Sequence, residues 1–332
     1  MEYRQLGSSP VKVSAVTFGA WAIGGWMWGG QDEQRAIAAM EAAIEAGVTS
    51  IDTAPIYGFG YSEELVGRVI KGRRDRLVVL TKYGMRWDCE QGEHAFDSED
   101  NDGRPVKIYK NSRPESVIYE CEQSLRRLGT DYIDVLQVHW RDHTVAVEET
   151  MGAVGELIKQ GKVRAAGVSN YTAEEMEAAR AVVPLASSQP PYSMVNRGAE
   201  HDVLPYCREN NVGVVCYSPL QRGLLTGKFK PGHQFDDGDH RGASPFFQPE
   251  NIRRVNDFLD SIRHIADGHG ATLAQLVINW TTRQPGITAA LVGARDAEQA
   301  AANAGALAFS LSDEEMAEIN QKLDALELEG VD

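Results

Sequence analysis

Eight short runs rich in β-branched and apolar residues recur along the chain, and most are followed by a longer stretch whose apolar residues return at helical spacing. Alternation of this kind predicts parallel strands joined by crossover helices, because parallel neighbours need a connection of a dozen or more residues. The runs lie at Ala15 to Phe18, Thr49 to Ile51, Leu77 to Thr81, Ile133 to Val138, Val163 to Val168, Leu185 to Ser188, Gly213 to Tyr217 and Ile287 to Val292. Between them, Ala36, Ile37, Met40, Ala43 and Ile44 form one apolar stripe of period 3.6, and Val147, Met151, Val154 and Ile158 form another. Capping boxes open three later helices, at Thr172 with Glu175, Thr272 with Gln275, and Ser312 with Glu315. The last of these carries Met316, Ile319, Leu323 and Leu326 on one side.

Eight strand–helix units with right-handed crossovers close into an α/β fold of the (β/α)8 TIM-barrel type. An open doubly wound sheet would show a glycine-rich phosphate loop after its first strand, and none stands there. Ahead of the first run, Tyr3 to Leu6 and Val11 to Val13 flank a Gly-Ser-Ser-Pro turn, which predicts a hairpin capping one end. The final capping box predicts an extra C-terminal helix. A length of 332 residues suggests two domains at ~150 residues each, but barrels run longer, and no repeat or Gly/Ser or Pro linker divides the chain. Residues 1–332 are therefore expected to form one barrel domain. Two connections are long, Tyr83 to Ser112 and Ser218 to Pro249, and both follow the carboxyl end of a strand, where barrel loops carry function.

The formal charge of -15 disfavours phosphate backbones and anionic membrane surfaces, so neither nucleic acid nor membrane is an expected partner. The opening MEYRQLGSSP has no apolar stretch behind a basic end, and no run approaches the ~20 apolar residues of a membrane span, so a cytoplasmic location is expected. Cys89, Cys121, Cys207 and Cys216 are scattered without a C-x-x-C pair and suggest neither a disulfide framework nor a thiolate metal site. Among the near misses, GFGYSE lacks the third glycine of a dinucleotide fingerprint and is read as a flexible turn. GLLTGK is one residue short of a P-loop. His139 and His143 are four apart, but His139 ends a strand with no third ligand nearby, so no metal is expected.

Strand ends supply the chemistry. Asp52 ends the second predicted strand, Tyr57 lies five residues on, Lys82 ends the third and His139 the fourth. In a barrel these ends share one mouth, which gathers an acid, a phenol, an amine and an imidazole. The amine pairs naturally with the acid. A neighbouring ammonium at ~4 Å would ease ionisation of the phenol by at most about three pKa units at an effective dielectric near 20. Such a phenol suits proton donation to a carbonyl oxygen held by the imidazole. Trp21, Trp26, Trp87 and Trp140 are read as walls of a substrate pocket, Trp26 and Trp28 lying among glycines on a loop, while His94, His233 and His240 are assigned to the surface.

The segments DTAPIYGFGYSEELVG, LTK, QVHW, GVSN, SQPPYS, YSPLQRGLLTGKF and LVGAR, in that order, resemble the aldo-keto reductase superfamily over nearly the whole chain. The resemblance implies that Asp52, Tyr57, Lys82 and His139 are a catalytic tetrad, with Tyr57 the acid, for reduction of an aldehyde, ketone or sugar carbonyl by NADPH or the reverse alcohol oxidation. It implies that Ser169, Asn170 and Gln189 hold the nicotinamide, with Tyr217 stacked on it and Gly19, Ala20, Trp21 and Asp52 alongside. Ser218, Pro219, Leu220, Arg222, Gly223 and Lys228 would cover the pyrophosphate, and Gly293, Arg295, Gln299 and Asn303 would surround the adenosine end. An Arg at 295 favours NADPH, because a guanidinium pairs a 2′-phosphate bidentately. Gln299 and Ala302 depart from the commoner Arg and Glu, which leaves NADH use open. The Tyr57–Glu64 spacing is similar to bacterial sugar-type reductases and potassium-channel β subunits, so a regulatory nucleotide-binding module is an alternative, as is a Schiff-base enzyme built on Lys82. The expected partner is a small carbonyl or alcohol substrate, and the chain is expected to be a monomer or a homo-oligomer.

Overall fold

The computed structural model describes residues 1–30, 32–236 and 238–331. Strands β1 (Tyr3–Gln5) and β2 (Lys12–Ser14) pair antiparallel as the expected hairpin. Then come β3 (Val16–Gly19), helix α1 (Glu33–Glu45), β4 (Ser50–Asp52), α2 (Tyr61–Ile70) and β5 (Val78–Tyr83). Three further strands, β6 (Met85–Arg86), β7 (Glu93–Glu99) and β8 (Pro105–Lys110), precede α3 (Pro114–Leu128). The alternation resumes with β9 (Ile133–Val138), α4 (Val147–Lys159), β10 (Val163–Ser169), α5 (Ala173–Arg180), β11 (Leu185–Gln189), α6 (Val203–Glu209) and β12 (Gly213–Tyr217). Helices α7 (Pro249–Gly268) and α8 (Leu273–Thr282), β13 (Ile287–Val292), α9 (Ala297–Ala304) and α10 (Asp313–Asp324) complete the chain. Strands β3, β4, β5, β9, β10, β11, β12 and β13 close in that order into a parallel barrel, the expected (β/α)8 architecture.

Barrel strands alternate their side chains between two cores. Inside, Leu80, Val135, Ala165, Val215 and Leu291 meet Leu6, Val11 and Val13 of the hairpin segment, which plugs the amino-terminal end. Outside, Ile51, Val79 and Leu136 meet the helices. The carboxyl end is thus the accessible one. All three capping boxes form, each with its reciprocal bonds. Among the described residues no helix is long and apolar enough to cross a membrane.

Several expectations need correction. Strands β4 and β5 take in Asp52 and Lys82, the residues expected at their ends, but β5 continues to Tyr83, and β10 and β11 run one residue past the runs read from sequence to take in Ser169 and Gln189. Polar residues resemble loop, yet the ladder continues through them, with Lys82 opposite Gln137 and Ser169 opposite Gln189. The connection from Tyr83 to Ser112 folds into a three-stranded antiparallel sheet, β6–β8–β7, and that from Ser218 to Pro249 contains short 3-10 turns. Helix α10 ends at Asp324, so Leu326 packs on the core from beyond it.

One buried carboxyl lies behind the barrel wall. Glu120 of α3 accepts from the Gly84 N–H at 3.0 Å and from the Ser116 hydroxyl at 3.3 Å. Burial pushes its pKa up from 4.5 to about 8, against the opposing pull of the Gly84 bond and Arg86. The folded protein binds this proton more tightly than the unfolded chain. The stability it supports is therefore full below pH ~4.5 and lost as pH rises through ~8. In thermal melts from pH 6 to 9, the wild type should lose about 3 °C or more of Tm relative to Glu120→Gln; parallel decline of the two would contradict the assignment.

Candidate active site

Four elements deliver four side chains to the carboxyl end of the barrel. Asp52 ends β4, Lys82 is the last residue but one of β5, His139 follows β9, and Tyr57 sits in the turn between β4 and α2. The Lys82 Nζ lies 2.6 Å from Asp52 Oδ1, donates to the Thr53 carbonyl at 3.0 Å and donates to Tyr57 Oη at 3.2 Å. Lys82 and Asp52 are almost wholly buried, 0% and 3% exposed at the side chain. Asp52 Oδ2 accepts from Gln189 Nε2 at 2.8 Å and Gln137 Nε2 at 3.2 Å, so both carboxylate oxygens are occupied. The imidazole of His139 meets the Tyr57 ring edge to face, centroids 5.6 Å apart.

The Tyr57 turn is locked from several sides. The Ser62 hydroxyl donates to the Ala20 carbonyl at 2.8 Å and lies 2.9 Å from that of Thr53. Asn101 of the β7–β8 turn donates to the Gly58 carbonyl at 2.8 Å. Gly58 has φ +66°, and a Cβ there would come within 2.3 Å of the Gly24 carbonyl oxygen. Only glycine fits so close a backbone approach. GFGYSE is thus no flexible turn: Gly58 is wedged, and Tyr61, Ser62 and Glu63 already belong to α2.

The charges respond to this packing. Burial disfavours the Lys82 ammonium, but Asp52 and Tyr57 outweigh it, and its pKa lies above the usual lysine value. Burial likewise raises the Tyr57 pKa; Lys82 pulls it down and Asp52 up, and the net direction is upward. This corrects the expected net lowering, because loss of solvation outweighs one attractive cation that is already shared with a carboxylate. Burial and the Lys82 charge hold His139 well below 6.5, hence neutral at physiological pH. A lysine so paired is the opposite of the depressed, carboxylate-free amine that Schiff-base chemistry requires. Among the described residues no cluster of metal-ligating side chains occurs.

A groove continues from these residues. Ser169 donates to the Gln189 carbonyl at 2.9 Å, Asn170 Nδ2 to the His139 carbonyl at 3.0 Å, and Tyr217 Oη to Asn170 Oδ1 at 3.0 Å. Gly19 and Gly293 approach each other where β3 and β13 end, and the Ala20 N–H donates to the Asp52 carbonyl. Ser218, Gln221, Arg222 and Gly223 all have positive φ. Pro219 and Leu220 lie within that turn. Arg295 donates to the Gly30 carbonyl at 3.0 Å, Gln299 to Asp296, and Asn303 to the Gly293 carbonyl. Burial, Arg241 and Arg295 together lower the Lys228 pKa, and the buried Arg222 Nε has no partner among the described residues. Cations gathered this way in a chain of charge -15 suit a multiply charged anion such as a polyphosphate.

The tryptophans divide. Trp21 stacks beside Tyr57 with centroids 6.1 Å apart. Trp26 and Trp87 both meet Phe59, and Trp26 donates to the Ser98 hydroxyl, building a small apolar cluster under the β6–β8 sheet. Trp140 is 41% exposed, not enclosed as a pocket wall. His240 corrects the surface assignment: its ring lies 4.9 Å from Trp21 and 5.1 Å from Trp28. Gln137 was also missed. A polar residue on the barrel's inward face two before His139 was the available signal; for His240, deep in a long loop, the sequence offers none.

A model described as the aldo/keto reductase family matches residues 15–324. The aldo-keto reductase YhdN of Bacillus subtilis is 38% identical over 327 residues, covering 98% of this chain and 94% of that protein. The NADH-specific methylglyoxal reductase of Escherichia coli is 35% identical, with coverage of 97% and 98%. The structure of the glycerol dehydrogenase AKR11B4 from Gluconobacter oxydans superposes with a TM-score of 0.88 at 36% identity, covering 99% of this chain and 97% of that one.

Proposed function

The chain belongs to the aldo/keto reductase family, and on that premise we propose that Tyr57 is the proton donor in an NADPH-dependent reduction of an aldehyde, ketone or sugar carbonyl. Bound NADPH supplies the hydride. One observation carries the assignment: the Lys82 ammonium donates to Tyr57 Oη at 3.2 Å, so the phenol oxygen is already an acceptor and its own proton is left to point elsewhere.

Asp52 holds Lys82 against Tyr57, and Gln137 and Gln189 hold Asp52. The raised Tyr57 pKa keeps the phenol protonated until charge develops on a carbonyl oxygen beside it, and Lys82 then stabilises the phenolate that results. Neutral His139 keeps a ring N–H to orient that oxygen. The reverse alcohol oxidation uses the same groups in the opposite sense. Residues 1–332 act as one catalytic unit in this reading, with the hairpin sealing the far end of the barrel.

Ser169 and Asn170, with Gln189 and Tyr217, would hold the nicotinamide beside Tyr57. Gln189 already donates to Asp52, so it would link cofactor and tetrad. Arg222, Lys228 and the turn from Ser218 through Pro219 and Leu220 to Gly223 would take the pyrophosphate. Arg295, Gln299, Asn303 and Gly293 would take the adenosine end. The cation cluster favours the extra phosphate of NADPH, and NADH is accepted more weakly. The Escherichia coli relative is named as NADH-specific, so the preference differs among relatives of this chain.

Mixing the protein with NADPH and a panel of aldehydes and ketones should consume the reduced-nicotinamide absorbance. Tyr57→Phe should lose at least about 10²-fold in kcat while fluorescence titration still detects NADPH binding. Lys82→Met removes the one cation that lowers the phenol, so the basic limb of its pH–rate profile should move upward with a rate ~10²-fold or more lower; an unmoved limb contradicts the role of Lys82. Arg295→Ala should cut the NADPH-over-NADH ratio of kcat/KM by roughly tenfold, equivalent to ~1.4 kcal/mol, and an unchanged ratio places the 2′-phosphate elsewhere.

A further inference from the structure

Trp21, Trp28 and His240 form a triangle of rings with centroids 4.9 to 5.3 Å apart, and Trp21 is the member that stacks beside Tyr57. Each of the three carries a buried ring nitrogen without a hydrogen-bond partner among the described residues: Trp21 Nε1, Trp28 Nε1 and His240 Nε2. Unpaired buried polar groups cost free energy, and three around one aromatic cluster beside a reacting phenol call for a ligand that satisfies them.

The polarity of that ligand follows from His240. Its Nδ1 lies 2.7 Å from the Met27 carbonyl oxygen, which only accepts, so Nδ1 carries the hydrogen. Burial and the nearby Arg222 and Arg241 outweigh the Met27 bond and Asp239 and keep the ring below its usual pKa, hence neutral. Nε2 is then a bare acceptor in a cluster whose other two unpartnered nitrogens are indole donors. A hydroxyl both donates and accepts, whereas an alkyl chain satisfies none of the three and a carboxylate meets the Nε2 lone pair with its own.

We propose that His240, with Trp21 and Trp28, is a hydroxyl-recognising subsite that selects carbonyl substrates bearing a neighbouring alcohol. The surroundings agree with this. Of the three rings His240 alone reaches a cavity of about 770 Å³, lined further by Tyr61, Ser98, Asp100, Asn101 and Asp239, groups suited to more hydroxyls and averse to anions. The three nitrogens are closed off from solvent, so the substrate hydroxyl enters only where the rings part.

The subsite rests on the reductase reading above, and the test separates the two. Steady-state kcat/KM is measured with saturating NADPH for glyceraldehyde, propanal and glyoxylate, in wild type, His240→Leu and His240→Gln. Wild type should favour glyceraldehyde over propanal by at least about tenfold. The glyceraldehyde-to-propanal ratio should fall at least ~fivefold in His240→Leu and recover within ~threefold in His240→Gln, whose amide oxygen restores an acceptor. Comparing ratios between variants cancels the intrinsic reactivity of the aldehydes and any general loss of folded enzyme. An equal ratio in wild type and His240→Leu, or a preference for glyoxylate over glyceraldehyde, overturns the subsite alone. Absence of turnover with every aldehyde and with either nicotinamide overturns the reductase reading and the subsite with it.

Discussion

An ammonium fully withdrawn from water at the rim of a barrel is the constraint around which the rest is arranged. Isolated, such a charge would shed its proton. Here the carboxylate of Asp52, the Thr53 carbonyl and the Tyr57 oxygen occupy all three Lys82 donors, and the charge survives. Satisfying Asp52 in turn takes two amides, from β9 and β11. The ion pair therefore ties together four strands, and what gives Tyr57 its chemistry also fixes the relative heights of their ends. Removing one partner would leave an uncompensated buried charge, which is why such pairs are costly to break even where their net contribution to folding is small.

A second electrostatic asymmetry lies along the groove. The chain is strongly acidic, yet Arg222, Lys228, Arg241 and Arg295 converge on one side of the mouth. Asp239 offsets Arg241, and Arg241 donates in turn to the Arg222 carbonyl, tying the long loop after β12 to the turn that follows the same strand. Ser218, Gln221 and Arg222 sit in left-handed backbone that costs side-chain-bearing residues about 1 kcal/mol or more each. Backbone strain and, among the described residues, unpaired donors such as Arg222 Nε are thus concentrated on one rim of an otherwise regular barrel.

Most of the barrel was legible because its periodicities are local. A strand of alternating or continuous apolar residues, a stripe at period 3.6 and a capping box each depend on neighbours within a few residues. The tetrad was legible for a related reason: Asp52, Lys82 and His139 stand at strand ends, and closure of the barrel sends those ends to one mouth. The β6–β8 sheet escaped notice because its strands, such as Glu93–Glu99, are mixed and half-exposed, without a clean apolar alternation. The net direction of the Tyr57 shift was misjudged because sequence reveals which charges are near but not how completely water is removed.

The alternation of apolar runs and helical stripes was enough to predict the barrel, and the motifs at the strand ends the four groups at its mouth and the family that the comparisons bear out, since strand order and strand polarity dictate which ends meet. Tertiary structure alone decided that Gln137 braces Asp52, that Gly58 is wedged against Gly24, that Trp140 stands largely in solvent, and that His240 lies over Trp21 instead of on the surface. Those outcomes depend on loops folding back across tens to hundreds of residues, where contact is set by three-dimensional packing and leaves no period or spacing in the sequence.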